Sequence, residues 1–222
     1  RINPLRTMIA INEAVFDPEG FCSNDDSVVM GLQAGTHWDA LAHVSFLGQI
    51  YNGFPAASVT ADGASRCGIG NVRTLVGRGV LLDVPRSKGL ERLEPGYAIT
   101  AADLDAAADA AGVEIVPGDI VLIRTGMMQL LHAGDRHGYS FPASGPGVDA
   151  VRWFRRNDIA AVATDSIVFE QFDFSNPDML LPVHILDLVF MGLTQGQNFD
   201  LEALAADCAD ARRALAGSGA VP

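Results

Sequence analysis

The sequence is poor in cysteine, in positive charge and in long apolar segments, and each shortage excludes a class of protein. Its 3 cysteines lie far apart and form no CxxC pair, which excludes a cysteine zinc site and predicts a reducing, cytoplasmic location. Lys and Arg number 15 against 27 Asp and Glu, for a net charge of −12, so nucleic acid and anionic membranes are not expected as partners. The longest apolar stretch, Leu180 to Leu193, is too short to cross a bilayer and is predicted to be a buried helix.

The remaining composition is that of a globular protein. Of the 222 residues 49% are hydrophobic and 19% are charged, with a mean hydropathy of +0.21, which predicts a compact fold with a substantial core. We expect one domain over residues 1–222, without repeats or linkers. Residues 1–5 lack the apolar core of a signal peptide, and a chain that begins with Arg1 is expected to have been trimmed at one or both ends.

Apolar runs and helical spacings alternate along the chain, which predicts an α/β fold with a parallel or mixed sheet. Strands are predicted at 27–30, 79–85, 120–126 and 159–165. Helices are predicted from Thr100 to Gly112, from Val148 to Asn157, from Pro177 through His184, and from Asp200 to about Leu215. Residues 132–147 are predicted to form a long surface loop with His132 and His137 facing solvent. Asp165 is interpreted as a cap rather than a site residue.

One histidine-containing segment is the most informative part of the sequence. The chain has only 5 histidines, and His37 and His43 lie on either side of Asp39. In an extended chain residues two apart share a face, so His37 and Asp39 would point to one place. If the chain turns into a helix near Ala40, His43 lies on the same side, one turn further on. The spacing predicts a metal site or an acid-base site; the alternative is a half-buried histidine that only hydrogen-bonds a carboxylate.

Several segments together carry a family resemblance. The chain reads QAGTHWDALAH from Gln33 to His43, GRGVLLDV at 77–84, GDIVLIRTG at 118–126 and ATDS at 163–166, with His184 in a late helix. These segments resemble the cyclase-family metal-dependent hydrolases, the group of kynurenine formamidase and isatin hydrolase, whose signature is HxGTHxDxPxH. The resemblance covers nearly all of the sequence.

This resemblance implies a swivelling β/β/α domain with a mixed central sheet, usually assembled into homodimers or tetramers. It also implies one or two divalent metals, zinc or manganese, whose bound water opens an amide, formamide or lactam carbonyl. Carried over, His37 and Asp39 would be metal ligands, His184 would bind a second metal, and His43 would be the nearby acid-base residue. Asp39, His43 and His184 are therefore the catalytic candidates, and Trp38, beside the motif, is a candidate wall of the substrate pocket.

The departures from the signature bear on the metal. Gln33 stands in place of the first histidine, and Gln197 stands where many members have a glutamate. A neutral amide is a weak ligand, so two metals are not expected, and one would be weakly held or absent. The family also continues past its last helix into a further strand, and this chain is expected to stop short of one.

Three functions remain open at this point. The first is a hydrolase with one weakly bound divalent metal, held by His37, Asp39 and a third group from Gln33, His184 or water. The second is a metal-independent acid-base enzyme, either a hydrolase or a lyase or dehydratase, that uses the same histidines. The third is a protein that binds a small ligand without turnover.

Overall fold

The computed structural model describes residues 3–172 and 180–210, and the backbone alone of 217–220. The chain forms two compact units, Arg1–His37 and Trp38–Pro222. Pro177, the predicted start of a helix, and Leu215, the predicted end of another, lie outside the described residues. The organisation of residues 1–222 as one domain stays a prediction.

The first unit is a two-stranded antiparallel hairpin of β1 (Leu5–Ala14) and β2 (Cys22–Val29). The sequence predicted only a short strand at 27–30. The hairpin register runs from Leu5 opposite Val29 to Ala14 opposite Cys22, and one turn of 3-10 helix follows at Leu32–Ala34. Several of its apolar side chains are exposed, among them Ile9, Ile11, Val28 and Val29.

The second unit alternates strands and helices. Its strands are β3 (His37–Trp38, which begins with the last residue of the first unit), β4 (Val59–Thr60), β5 (Gly63–Ala64), β6 (Val76–Asp83), β7 (Ala98–Ile99), β8 (Ile120–Arg124), β9 (Gly145–Pro146), β10 (Ala161–Thr164), β11 (Thr194–Gln197) and β12 (Gly217–Ala220). Its helices are α1 (Val84–Ser87), α2 (Ala101–Ala111), α3 (Met128–His132), α4 (Arg136–Ser140), α5 (Val148–Arg156), α6 (Pro182–His184), the π-helical segment Ile185–Met191 that continues α6, and α7 (Glu202–Asp210). Single 3-10 turns lie at Tyr51–Gly53, Ala56–Ser58 and Ile69–Asn71.

The central sheet has the order β12-β6-β8-β10-β11, with Trp38 of β3 at the far edge. The strands β6, β8, β10 and β11 are parallel, whereas β12 runs antiparallel to β6. The predicted mixed α/β class is thus confirmed. The strand β12 follows α7, the last helix that the structure describes.

Both faces of the sheet are buried, which explains the continuous apolar runs. On one face Val80, Val121 and Val162 belong to a core that includes Trp153 and Phe154 of α5. On the other face the alternating residues form a second core against α7, made of Leu81, Ile120, Leu122, Ala161, Ala163, Ala205 and Cys208 among others. The strands are therefore held rigidly, and their carboxyl ends are fixed relative to one another.

Most predicted elements are found, with shifted ends. The capping box of Thr100 and Asp103 begins α2, and Gly112 ends it in the left-handed conformation with φ +65°. Residues 132–147 do not form a plain loop, because they contain α4 and β9. Leu180 to Leu193 is helical only from Pro182 to Met191, and most of that helix is π-helical, a geometry found often at functional sites. No described helix is long and apolar enough to cross a membrane.

Candidate functional site

The candidate site lies at the carboxyl ends of β10 and β11, where ligands bind in open parallel sheets. The backbone N–H of Asp39 donates to the carbonyl of Gln195 at 2.8 Å, which attaches the Asp39 segment to β11. His184 ends α6 and faces the same place. The structure therefore brings Asp39, His184 and Gln197 together.

Two amides hold one oxygen of the Asp39 carboxylate. Gln195 and Gln197 are two apart on β11, so their side chains share a face. Gln197 Nε2 donates to Asp39 Oδ2 at 2.5 Å, and Gln195 Nε2 donates to the same oxygen at 3.3 Å. All three residues are buried, with relative exposures of 2% or less. In this buried setting the carboxylate is fixed by hydrogen bonds.

His184 is oriented from behind by a carboxylate that the sequence analysis missed. Its ring Nδ1 lies 2.6 Å from Glu170 Oε1, and the backbone N–H groups of Val183 and His184 donate to the two oxygens of Glu170 at 2.9 and 2.8 Å. Because a carboxylate only accepts, Nδ1 donates to Glu170, and the NH₂ group of Gln197 beside Nε2 makes that nitrogen the acceptor. That Nε2 lies 3.3 Å from Gln197 Nε2 and 3.8 Å from Asp39 Oδ2.

His43 lies on the more exposed side of the same carboxylate. Its Nε2 is 3.8 Å from Asp39 Oδ1, and its side chain is 36% exposed. The chain between the two residues forms a turn and not the start of a helix, with the N–H of His43 donating to the carbonyl of Ala40 at 2.8 Å. The four-residue spacing nevertheless places an imidazole beside Asp39, as predicted.

Three residues with left-handed backbone lie next to a site residue or to the start of the helix that carries His184. Phe169 (φ +63°) precedes Glu170, Leu181 (φ +54°) precedes α6, and Asn198 (φ +58°) follows Gln197. Such conformations cost about 1–3 kcal/mol each and concentrate at functional sites. A glycine accommodates one of them, because a Cβ on Gly145 would lie 2.0 Å from the carbonyl oxygen of Phe169.

A second buried acid lies near His184. Asp187 is fully buried in the π-helical segment, and neither carboxylate oxygen has a hydrogen-bond partner among the described residues. Burial, reinforced by the charge of Glu170, raises the pKa of Asp187 well above its usual value.

Three other predicted site residues have different surroundings. Trp38 packs edge-on against Phe199 with ring centroids 5.2 Å apart, and its role as a pocket wall stays a prediction. Gln33 and His37 belong to the first unit, where His37 Nδ1 donates to the carbonyl of Gly35 at 2.8 Å. Their roles as ligands also stay predictions.

The residues around His184 do not fit a metal ion shared with Asp39. The group closest to both is the amide nitrogen of Gln197, and an amide N–H is a donor, whereas a metal ligand must offer a lone pair. Within the described parts of the chain, no group of three or more His, Cys, Asp or Glu side chains is arranged to hold a metal ion.

Asp165 and the loop histidines lie apart from this cluster. The carboxylate of Asp165 accepts from the N–H and hydroxyl of Thr125 and from the N–H of Gly126, at 2.6–2.8 Å. It is therefore a cap, as interpreted, but it caps the turn after the neighbouring strand β8 and not its own continuation. His132 and His137 are exposed, as predicted.

Sequence reasoning missed Gln195, Glu170 and the buried position of Asp187. Gln195 could have been found from its spacing, since it lies two residues before Gln197 on a predicted sheet face. Glu170 carries no such signal, because its position depends on the backbone of Phe169 and on a helix that begins at Pro182.

Comparisons with known proteins agree with this architecture. The model of the Cyclase family, described as "Putative cyclase", matches residues 4–171. A solved structure described as a novel cyclase is 36% identical over 98% of this chain and 78% of that chain, with a TM-score of 0.85. No curated protein matches.

Two more distant structures share the fold. Isatin hydrolase A from Ralstonia solanacearum is 20% identical over 90% of this chain and 70% of its own, with a TM-score of 0.61. A predicted metal-dependent hydrolase from Bacillus stearothermophilus is 20% identical over 90% and 72%, with a TM-score of 0.53. The family model covers most of the sequence and the 36% identical structure spans nearly all of it; this protein belongs to the cyclase family.

Proposed function

We propose that this protein is a hydrolase that opens the carbonyl of a small amide, formamide, lactam or lactone. One observation carries the proposal: the Asp39 carboxylate is fixed at Oδ2 by two buried amides and faces the half-exposed His43 with Oδ1. A carboxylate behind an accessible imidazole is an arrangement that supports general acid-base catalysis. Family membership and the fold shared with an isatin hydrolase support the same reaction class.

His43 supplies the proton transfers in this proposal. It takes a proton from water as the water oxygen bonds to the carbonyl carbon, and it returns that proton to the nitrogen or oxygen that leaves. Asp39 stabilises the imidazolium formed in between. The 3.8 Å separation of His43 Nε2 and Asp39 Oδ1 is longer than a hydrogen bond, and such contacts often tighten only when substrate is bound.

His184 and Glu170 act behind this pair as positioning residues. Both are almost fully buried, at 3% and 1% exposure. Glu170 fixes the ring of His184, whose Nε2 lies beside the amide that holds Asp39. Their role is to keep Asp39 in one orientation while His43 changes its charge.

Turnover of a panel of formamides, lactams and lactones tests the proposal. The wild type should hydrolyse at least one of them, and His43→Ala should lower kcat by about 10²–10⁴-fold. His137→Ala is the matched control, because His137 is an exposed histidine outside the site, and its kcat should be unchanged. Equal loss in both variants would contradict the role of His43.

Ligand binding and chelator treatment separate the alternatives. Binding of a panel compound by the wild type without turnover would favour a protein that only binds small ligands. Activity that a chelator abolishes and zinc or manganese restores would favour the metal-assisted hydrolase, with His37 and Asp39 as ligands. Elimination products in place of hydrolysis products would indicate a lyase or dehydratase.

We also propose that the protein is a homo-oligomer. Its hairpin exposes apolar side chains that include Ile9, Ile11, Val28 and Val29, and an interface with a second copy would bury them. Light scattering after size-exclusion chromatography should give a mass at least twice 23.5 kDa. A monomer mass at micromolar concentration would contradict the proposal.

A further inference from the structure

We propose that the amide of Gln197 replaces a metal ion between Asp39 and His184, so that this part of the site is organised by hydrogen bonds alone. The inference rests on the proposed function only for the catalytic role of this arrangement; the arrangement itself does not depend on it. Its evidence is the position of one amide nitrogen, 2.5 Å from Asp39 Oδ2 and 3.3 Å from His184 Nε2. A bridging ion would have to bind the same two atoms.

The orientation of the amide follows from its neighbours. Asp39 can only accept hydrogen bonds, so the NH₂ group of Gln197 must face it, since the opposite orientation would put two oxygens in contact. His184 donates from Nδ1 to Glu170, which leaves the lone pair of Nε2 for the second hydrogen of the same NH₂ group. One amide thereby satisfies both partners.

Gln195 makes the exclusion of a metal stronger. Its Nε2 lies 3.3 Å from the same Oδ2 of Asp39, so two amide NH₂ groups donate to that one oxygen. A cation at this oxygen would have to displace both donors from a region that is almost fully buried. Neither glutamine supplies the negative charge that offsets a dication.

Metal binding by the two matched glutamine variants tests the inference. Gln197→Glu introduces a carboxylate next to both Asp39 and His184, whereas Gln195→Glu introduces the same charge next to Asp39 alone. Titration with Co²⁺, followed by its visible absorption, should show at least tenfold tighter binding by Gln197→Glu than by the wild type or by Gln195→Glu. Wild type purified without chelator should contain less than one tenth of an equivalent of zinc or manganese.

Several outcomes would overturn the inference. They are a full equivalent of zinc or manganese in the wild type that the His184→Ala substitution removes, no gain of affinity in folded Gln197→Glu, and equal gains in both variants. Thermal unfolding identifies variants that fail to fold, and the wild-type metal content decides the matter if Gln197→Glu is one of them. The assay detects bound metal without turnover, so a protein that hydrolyses nothing on the panel still gives a result.

Discussion

Asp165 and Asp39 are both buried carboxylates at the end of a strand or beside one, and their surroundings differ. Asp165 is fully buried and accepts from two backbone N–H groups and a threonine hydroxyl that belong to the turn after β8. Asp39 accepts from two glutamine side chains and faces two histidines at 3.8 Å. The first carboxylate binds backbone N–H groups of a turn, and the second is held by side chains and faces imidazoles that can exchange protons.

The difference separates a structural carboxylate from a chemical one. Backbone donors cannot leave without unfolding the turn, so Asp165 contributes to the frame, that is, to the central sheet and its adjoining turns and helices on which the site residues are placed. Asp39 is held in one orientation by side chains and faces an imidazole that can take up and release a proton, so Asp39 contributes to chemistry. Replacing each carboxylate should therefore affect a different property of the protein.

The largest expected effect is the loss of turnover in Asp39→Asn. The variant keeps the size of the side chain and one oxygen for the amides, but it has no charge to stabilise the imidazolium of His43. We expect kcat to fall by about 10²–10⁴-fold, with an unfolding midpoint close to that of the wild type. Asp165→Asn is the matched control and should lose stability but keep kcat per folded molecule. Loss of kcat in Asp165→Asn together with unchanged kcat in Asp39→Asn would contradict the distinction between the two carboxylates.

A large loss of stability is expected when the buried guanidinium of Arg124 is removed. Arg124 is 5% exposed and donates to Glu202 at 2.7 and 2.9 Å and to Asp83 at 2.9 Å. Arg124→Met leaves those two carboxylates without their shared partner. We expect the free energy of unfolding in urea to fall by about 3 kcal/mol, with kcat of the folded fraction unchanged. Unchanged stability would mean that the ion-pair network is not part of the frame.

The stability contributed by Asp165 should depend on pH. Burial raises the pKa of Asp165 from 3.8 to about 6, against the opposing effect of its three donors and of Arg124. Between these values the folded state holds a proton that the unfolded state has lost, so stability falls as pH rises from 4 to 6 and levels off above. The loss amounts to about 3 kcal/mol.

Urea unfolding of wild type and Asp165→Asn between pH 4 and 7 isolates this contribution. The wild-type curve minus the variant curve should fall over pH 4–6, because asparagine does not titrate there. A difference that rises with pH over the same range would show that the donors dominate and that the carboxylate is charged in the fold.

The central strands and the helix α2 could be predicted from local sequence patterns, whereas the site could be predicted only in part. Continuous apolar runs identified β6, β8 and β10, because a strand buried on both faces must be apolar throughout. The capping box identified the start of α2 for an equally local reason. The hairpin partner β1 has exposed residues on both faces and therefore no burial pattern to read.

Within the site, the pair of Asp39 and His43 followed from a spacing of four residues. His184 and Gln197 could be assigned only through the family resemblance, since their contacts with Asp39 are made across the fold. The role of Glu170 was not predictable, because it depends on the left-handed backbone of Phe169 and on where α6 begins. Strained, non-local geometry of this kind leaves no periodic signal in a sequence.

The smallest expected effect concerns an ion pair outside both regions. His132 Nε2 lies 2.9 Å from Asp200 Oδ2, a shorter contact than the one between His43 and Asp39, but the two side chains are 51% and 55% exposed. Solvent screens such a pair, so His132→Ala should lower the free energy of unfolding by no more than about 0.5 kcal/mol and leave kcat unchanged. The measurement is urea unfolding at low and high salt. A large loss of activity would mean that a histidine close to an acid is sufficient for function. The comparison of Asp39 with Asp165 indicates instead that burial and the kind of hydrogen-bond donor determine the role of a carboxylate.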